Sequence, residues 1–261
     1  MSAEEYRRKI GKVIGTPIDA ISWDEAIQKI SIWARTRESR YVCICNAHSV
    51  VTATREIEFA KVLQDADMAT PDGAPVAWML RRLGFATQER INGPDLMKLL
   101  CQHCAQEDIS IYLYGSTEKT LAALKNRLSK IYPSLRIAGI ESPAFGPISE
   151  ADDQATVQRI NESGAGIVFV GLGCPKQERW LAAHRGRVHS VTIGVGAAFD
   201  FHAGTVRRAP EWMRKNGMEW LHRLLSEPRR LWKRYLVTNS LYIYRATLQL
   251  LADRKNATTV R

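Results

Sequence analysis

The sequence predicts an α/β fold, a mostly parallel sheet with helices on both faces, followed by a basic helical C-terminal appendage. Short runs rich in β-branched residues alternate with segments of helical periodicity, which is the pattern of successive βα units. The 261 residues, 45% apolar and 25% charged, suit one large α/β domain or a domain with an appendage. The net charge of +10 is also unevenly placed. Phe201 to Arg261 hold 13 Lys/Arg against 4 Asp/Glu, so this segment carries +9 and the first 200 residues only +1.

Taken in order, Trp23–Thr36 has amphipathic helical spacing and Tyr41–Asn46 reads as a strand. Ala74–Leu83 and Gly93–Gln106 are helix candidates, and Ile109–Tyr114 is a strand. The helix Thr117–Ile131 starts at cap chemistry near Ser116 and ends before Pro133. Leu135–Ile140 is a strand, Ser149–Ser163 a helix with its own cap, and Gly166–Leu172 a strand. Lys176–His184 is a helix and Ser190–Val195 the last strand. In the tail, Arg208–Trp212 reads as a turn into a short helix and Gly217–Ser226 as a second one. Arg229–Ala252 is a longer helix, with Trp232, Tyr235, Leu236, Ile243, Ala246 and Leu250 at helical spacing. The division is therefore a core over 1–204 and an appendage over 205–261.

Composition also narrows the setting. Five cysteines, two of them (Cys43, Cys45) inside an apolar run, fit reduced thiols in a cytoplasmic protein. Cys101 and Cys104 have a CxxC spacing without a second pair and read as buried helix thiols. The N-terminal segment is polar, and the longest uncharged stretches, Tyr41–Thr54 and Ser163–Pro175, fall short of the roughly 20 residues of a membrane span. Membrane contact is thus expected to be peripheral, through a tail whose cations suit an anionic partner.

Ligands of open parallel sheets bind beyond the carboxyl ends of the strands. Three loops belong there: Asn46-Ala-His48, Gly115-Ser116 and Gly171–Glu178. Asp72, in Thr70-Pro-Asp-Gly-Ala-Pro75, reads by spacing as a turn residue or helix N-cap, with a general base as the alternative. Asp65 and Asp67 have the DxD spacing of a divalent-metal site but sit where a helix pattern ends, which favours solvated carboxylates. His48 and His202 read as loop or packing histidines. Arg229, Arg230, Lys233 and Arg234 crowd a helix N-terminus, against its dipole, so an anionic partner is expected. Arg223 and Arg230 are spaced to share a face if the short and long helices are continuous, and would then converge on a diphosphate.

Six ordered blocks carry a resemblance over nearly the whole chain: Asn46 with His48-Ser-Val50; Ala66-Asp67 to Pro71-Asp72-Gly73; Glu89–Leu96; Gly171–Glu178; Gly194–Gly196 with Phe199–Phe201 and Ala203-Gly204; and Arg208–Pro210 through Glu219-Trp220, Arg223, Glu227-Pro228 and Arg230 to Tyr235. Through them the chain resembles the WecG/TagA/CpsF glycosyltransferases. The resemblance implies a Rossmann-like core and an inverting, metal-independent transfer that uses no cofactor. A UDP-sugar would be the donor, and a sugar on a polyprenyl (undecaprenyl) diphosphate the acceptor, at the cytoplasmic face of the bacterial inner membrane. It places Asp72 at the proposed catalytic base. Asn46, Arg90, Gln177 and Asp200 match pocket positions, and Arg223, Arg230 and Lys233 or Arg234 match tail cations that hold the diphosphate. Where the teichoic-acid branch carries Thr two residues before the pocket Asn, this chain has Ile44, which suggests a different donor or acceptor sugar. Two rival readings are weaker. A nicotinamide-dependent oxidoreductase lacks a GxGxxG in its first βα unit. A nucleic-acid-binding module would rest on the basic tail alone, so no nucleic acid is expected. A homo-oligomer is compatible with the sequence.

Overall fold

The computed structural model describes residues 8–144 and 146–259; the leading residues 1–7 of the polar N-terminal segment, Phe145, and the last two residues of the appendage lie outside it. In chain order the elements are β1 (Ile10–Val13), β2 (Thr16–Asp19), α1 (Trp23–Arg35), β3 (Arg40–Cys45), α2 (Ala47–Ala53), α3 (Ile57–Gln64), β4 (Met68–Pro71), α4 (Ala74–Arg82), α5 (Gly93–Gln106) and β5 (Ile111–Gly115). They continue with α6 (Glu118–Ile131), β6 (Ile137–Glu141), α7 (Glu150–Glu162), β7 (Ile167–Gly171), α8 (Lys176–His184), β8 (Val191–Gly194) and α9 (Ala198–Ala203). The tail forms α10 (Glu211–Lys215), α11 (Glu219–Ser226) and α12 (Pro228–Thr259).

The six-stranded sheet has the order β4-β3-β8-β7-β5-β6, and every pairing in it is parallel. Strand side chains alternate between its faces. Val42, Ile44, Leu113, Phe169 and Ile193 enter one buried cluster with residues of α1, α5, α6 and α9. Tyr41, Cys43, Cys45, Tyr112, Tyr114, Val168 and Val170 enter the other, with residues of α2, α3, α4 and α8. The expected Rossmann-like α/β core is therefore present, with helices on both faces.

Five elements, β1, β2, α2, β4 and α9, lay outside the sequence reading. The hairpin β1–β2 packs beside the sheet, and its turn residue Ile14 donates its N–H to Gln249 of α12 at 2.7 Å. Strand β4 was read only as a short apolar stretch. It is four residues long and ends in proline, which the edge of a sheet tolerates because one side needs no ladder donor. Helix α2 begins at Asn46, whose Oδ1 accepts from the N–H groups of His48 and Ser49 at 2.9 and 3.2 Å, so the residue read as a loop is an N-cap. Helix α3 is the helix pattern expected to end near Asp65, which is its C-cap, and it buries Phe59 and Leu63.

The long helix runs past the expected Ala252 to Thr259 and does not hang free. Tyr242 and Ala246 are 5% exposed and belong to the second core cluster. The Tyr242 hydroxyl donates to the Pro75 carbonyl at 2.9 Å, and Gln249 Nε2 donates to the Lys12 carbonyl at 2.7 Å. A fully buried large apolar side chain contributes about 2 kcal/mol. The appendage is thus fixed at its far end against α2, α4 and the hairpin, with Gln249 satisfying both groups of the turn.

Candidate active site

The carboxyl edge of the sheet collects the three expected loops and a fourth, after β4. Asp72 follows β4, and its N–H donates to the Cys45 carbonyl at 2.9 Å, which places it next to Asn46. Asp72 is not the N-cap of α4. Gly73, with φ +83°, takes that position and no side chain caps the helix, so the carboxylate is left for other partners. Burial pushes the Asp72 carboxyl above its ordinary value, Arg90 opposes that, and Glu219 adds to it. Its side chain keeps 22% exposure, enough for a substrate to reach it.

A cavity of about 210 Å3 opens at the ends of β5, β7 and β8. Backbone of Gly171, Gly173, Gly196 and Ala197 forms one wall, with Ser116 beside it. The sheet cannot accept larger residues there: a Cβ on Gly115 would lie 2.8 Å from the Gly171 carbonyl, at a φ of +113° that L-residues avoid. Asp200, Arg223, Glu227 and Arg230 line the other wall. Burial raises the Asp200 carboxyl, and Arg223 and Arg230 pull it back, Arg223 more strongly. Arg230 is paired with Glu227 at 2.5 Å.

The two arginines meet although α11 and α12 are not one helix. The backbone breaks at Glu227, with φ −135° and ψ 56°, and the break brings both guanidinium groups to the cavity wall. The two helices are separate, as the sequence divides them, so the shared helical face that continuity would give does not form, yet both arginines line the cavity. Lys233 and Arg234 do not line this cavity. Lys233 lies 5.5 Å from the Trp232 ring centre and Arg234 5.4 Å from that of Tyr235. Gln177, 5% exposed, stands behind the wall. It accepts from the Gly173 N–H at 3.1 Å and donates to Gly194 O at 3.1 Å and Glu178 Oε1 at 2.9 Å. It ties the Gly171–Glu178 loop to the end of β8, with its polar atoms engaged.

Other candidates are placed elsewhere. Asp67 precedes β4, at the opposite edge of the sheet from Asp72. It receives Arg40 at 2.9 Å, Arg185 at 2.8 Å and the Tyr41 N–H at 3.0 Å, while Asp65 ends α3. Among the described residues no group of three or more His, Cys, Asp or Glu side chains is arranged to hold a metal. His48 faces Thr238 at 3.4 Å, and burial, then Arg234, lowers its basicity. His202 is bonded to the Pro94 carbonyl at 2.7 Å and burial lowers it too. Both are packing histidines.

The sequence reading missed an ion-pair ladder between core and tail. Arg90 Nη2 donates to Glu219 Oε2 at 2.5 Å, and its Nε lies 3.8 Å from Asp72 Oδ1. Arg208 donates to Glu219 at 3.3 Å, to Asp95 at 2.5 and 2.9 Å, and to Asn92 Oδ1 at 3.1 Å. Arg214 closes the series 3.9 Å from Asp95. Gly217 packs so closely on α4 that an added Cβ would lie 2.7 Å from that of Ala74. One signal was available: Glu219 and Glu227 are two of only four acids in a tail of 13 cations.

The site is a cavity at the carboxyl end of a Rossmann-like sheet, with arginines of the C-terminal helices among its lining residues. The model of the Glycosyl transferase WecG/TagA/CpsF family matches residues 11–256, and the chain belongs to that family. Among its relatives is the N-acetylglucosaminyldiphosphoundecaprenol N-acetyl-beta-D-mannosaminyltransferase of Bacillus subtilis (strain 168). That protein is 32% identical over 82% of this chain and 80% of its own length. The protein of the same name from Bacillus spizizenii (strain ATCC 23059 / NRRL B-14472 / W23) is 33% identical over 72% of this chain and 74% of its own.

The ladder has a pH signature. Burial works to raise the Asp95 carboxyl, but the Arg208 pairing and the Asn92 bond outweigh it and hold it at about 2. A carboxyl depressed on folding stabilises above its ordinary value and loses that contribution as pH falls through the folded one. The hold on the tail should be complete above pH 3.8 and weaken between there and about 2. Fluorescence of the tail tryptophans followed through that window checks it, and Asp95→Asn should remove the pH dependence and leave the hold at its weakened low-pH level throughout.

Proposed function

We propose that this chain transfers a hexosyl or N-acetylhexosaminyl group, uronic acids included, from a UDP-sugar to a sugar on a polyprenyl diphosphate, with inversion at the anomeric carbon. The observation that carries the reading is the shared edge of Asp72 and the arginine-lined cavity. Strand β4, which delivers Asp72, is separated from β8 only by β3. At strand spacing that is roughly 10 Å, a distance suited to a sugar joined to a diphosphate. In one displacement the acceptor hydroxyl attacks the anomeric carbon and Asp72 takes its proton. Burial, which raises the Asp72 carboxyl, makes it a better base than an exposed aspartate. Arg223 and Arg230 neutralise the departing diphosphate in the role a metal ion fills elsewhere.

The relatives' names make N-acetylglucosamine on undecaprenyl diphosphate the first acceptor to test and N-acetylmannosamine the first donor sugar. Ile44 argues for a wider donor screen. It is 6% exposed and packed in the core, so no hydroxyl stands there. Thr70, its partner on β4, has its own hydroxyl directed to the Ile91 carbonyl at 3.4 Å. Glucose, galactose, N-acetylmannosamine and its uronic acid belong in the screen as UDP-sugars, with a short lipid-diphosphate acceptor. With the active donor, Asp72→Asn should lower kcat by about 100-fold or more at unchanged fold, a typical worth for a general base. Near-normal turnover of that variant ends the base assignment. EDTA should leave the rate unchanged; its loss would return a metal to the mechanism.

The appendage is proposed to dock peripherally on anionic lipid at the cytoplasmic face of the inner membrane. No helix of the described residues is long and apolar enough to cross. Trp212, Trp220, Leu225, Trp232, Leu236, Ile243 and Leu251 are exposed on the tail, interspersed with its cations. Each Lys or Arg near an anionic surface contributes about 1 kcal/mol. Replacing Lys233 and Arg234 by Gln should weaken binding to vesicles containing anionic lipid by about 30-fold. Unchanged vesicle binding would show that these two cations do not carry the docking.

A further inference from the structure

Glu219 does something that the transfer step does not require. It binds the Arg90 side chain at 2.5 Å, whereas Arg90 stays 3.8 Å from Asp72, beyond hydrogen-bond length. Glu219 is itself fixed by Arg208 at 3.3 Å, and Arg208 is anchored on Asp95 and Asn92 of the core. Asp72 thus faces Arg90 from the core, Glu219 and Arg208 from the tail, and the buried Cys45 thiol of β3. Glu219 faces Arg90 and Arg208. Asp95 and Arg214 stand one step further along the ladder. A guanidinium between two carboxylates has taken the one supplied by the tail.

We propose that Glu219 is a positioning residue: by holding Arg90 it keeps the Asp72 carboxylate out of a closed ion pair and open to the acceptor hydroxyl, so that docking of the tail arms the base. The proposal rests on Asp72 being that base. In the armed state the acceptor proton passes to Asp72, and the hydroxyl oxygen's electron pair forms the new bond to the anomeric carbon. The bond from that carbon to the diphosphate breaks with its electrons leaving on UDP. With the tail undocked, Arg90 loses Glu219 and is left facing Asp72. A closed Arg90–Asp72 pair weakens the base and covers its oxygens. Transfer of the donor sugar, or its wasteful hydrolysis, is then suppressed until the appendage is seated.

The test needs no substrate. Carboxyl carbons of the full chain carrying 13C-labelled aspartate are titrated by NMR, the Asp72 resonance being the one lost in Asp72→Asn. In the unmodified chain its midpoint should lie above the ordinary 3.8. A midpoint below that value would report a closed Arg90–Asp72 pair and overturn the proposal. Glu219→Gln, nearly the same shape without the charge, should lower the midpoint by about one pH unit, more than the loss of its own field gives, as Arg90 turns to Asp72. In an Arg90→Gln background, where only that field is lost, the same substitution should shift it less than half as far, and equal shifts in the two backgrounds overturn the proposal. Glu219→Asp, which keeps the charge, should stay close to the parent. An unmoved midpoint in Glu219→Gln, or equal shifts in both variants, overturns the positioning role. The base assignment fails separately, through an Asp72→Asn variant that retains turnover.

Discussion

The Arg90 guanidinium bonds a carboxylate 129 residues further along the chain, and that contact joins the core to the C-terminal helices beside Asp72. Arg90 comes from the loop before α5, on the core. Glu219 opens α11, a helix in which no residue is buried and which has little apolar contact of its own to hold it. Charge pairing, together with the buried Ala209 and Met213 and the close packing of Gly217 on α4, therefore sets where the first half of the appendage lies. Removing one partner from such a partly buried network costs more than its surface location suggests, because the remaining ion is left without its mate.

The second half of the appendage is held differently. Tyr242 and Ala246 enter the core cluster formed by the hairpin, α2 and α4, and Gln249 ties down the hairpin turn. The tail thus has an apolar anchor at its far end and an ionic hold near the site, and the break at Glu227 lies between them. This division suits a closing element. The anchor keeps the appendage on the molecule, while the ionic segment, which includes Arg223, is the part that the proposed substrate and membrane charges would act on. Part of the cation set has acidic partners in this state: Arg230 pairs with Glu227, and Asp200 feels both cavity arginines. A diphosphate would compete with those carboxylates for the same guanidinium groups.

Several features of the site were legible in the sequence because they are local. Asp72, Asn46 and the glycines at the strand ends sit where the alternation of strand and helix says ligands bind, and six ordered blocks fixed the family. Roles that depend on neighbours were not legible. Asp72 lost the cap to Gly73, and Gln177 turned inward to join loops. Lys233 and Arg234 were indistinguishable from Arg230 by composition, yet a helix places successive residues about 100° apart, so cations within one turn point different ways. Strand β4 and helices α2 and α9 escaped because stretches of four to seven residues carry too few positions to display a period.

The sequence by itself determined the parallel α/β core, the family and the concentration of cations in the last 61 residues. Hydrophobic period and composition are written along the chain and need no knowledge of distant contacts. Only the tertiary structure decided which carboxylate holds Arg90, which arginines reach the cavity and which charges pair with one another. Those outcomes follow from competition between charges that are far apart in sequence, and Coulomb energies are set by distances that only the folded chain defines.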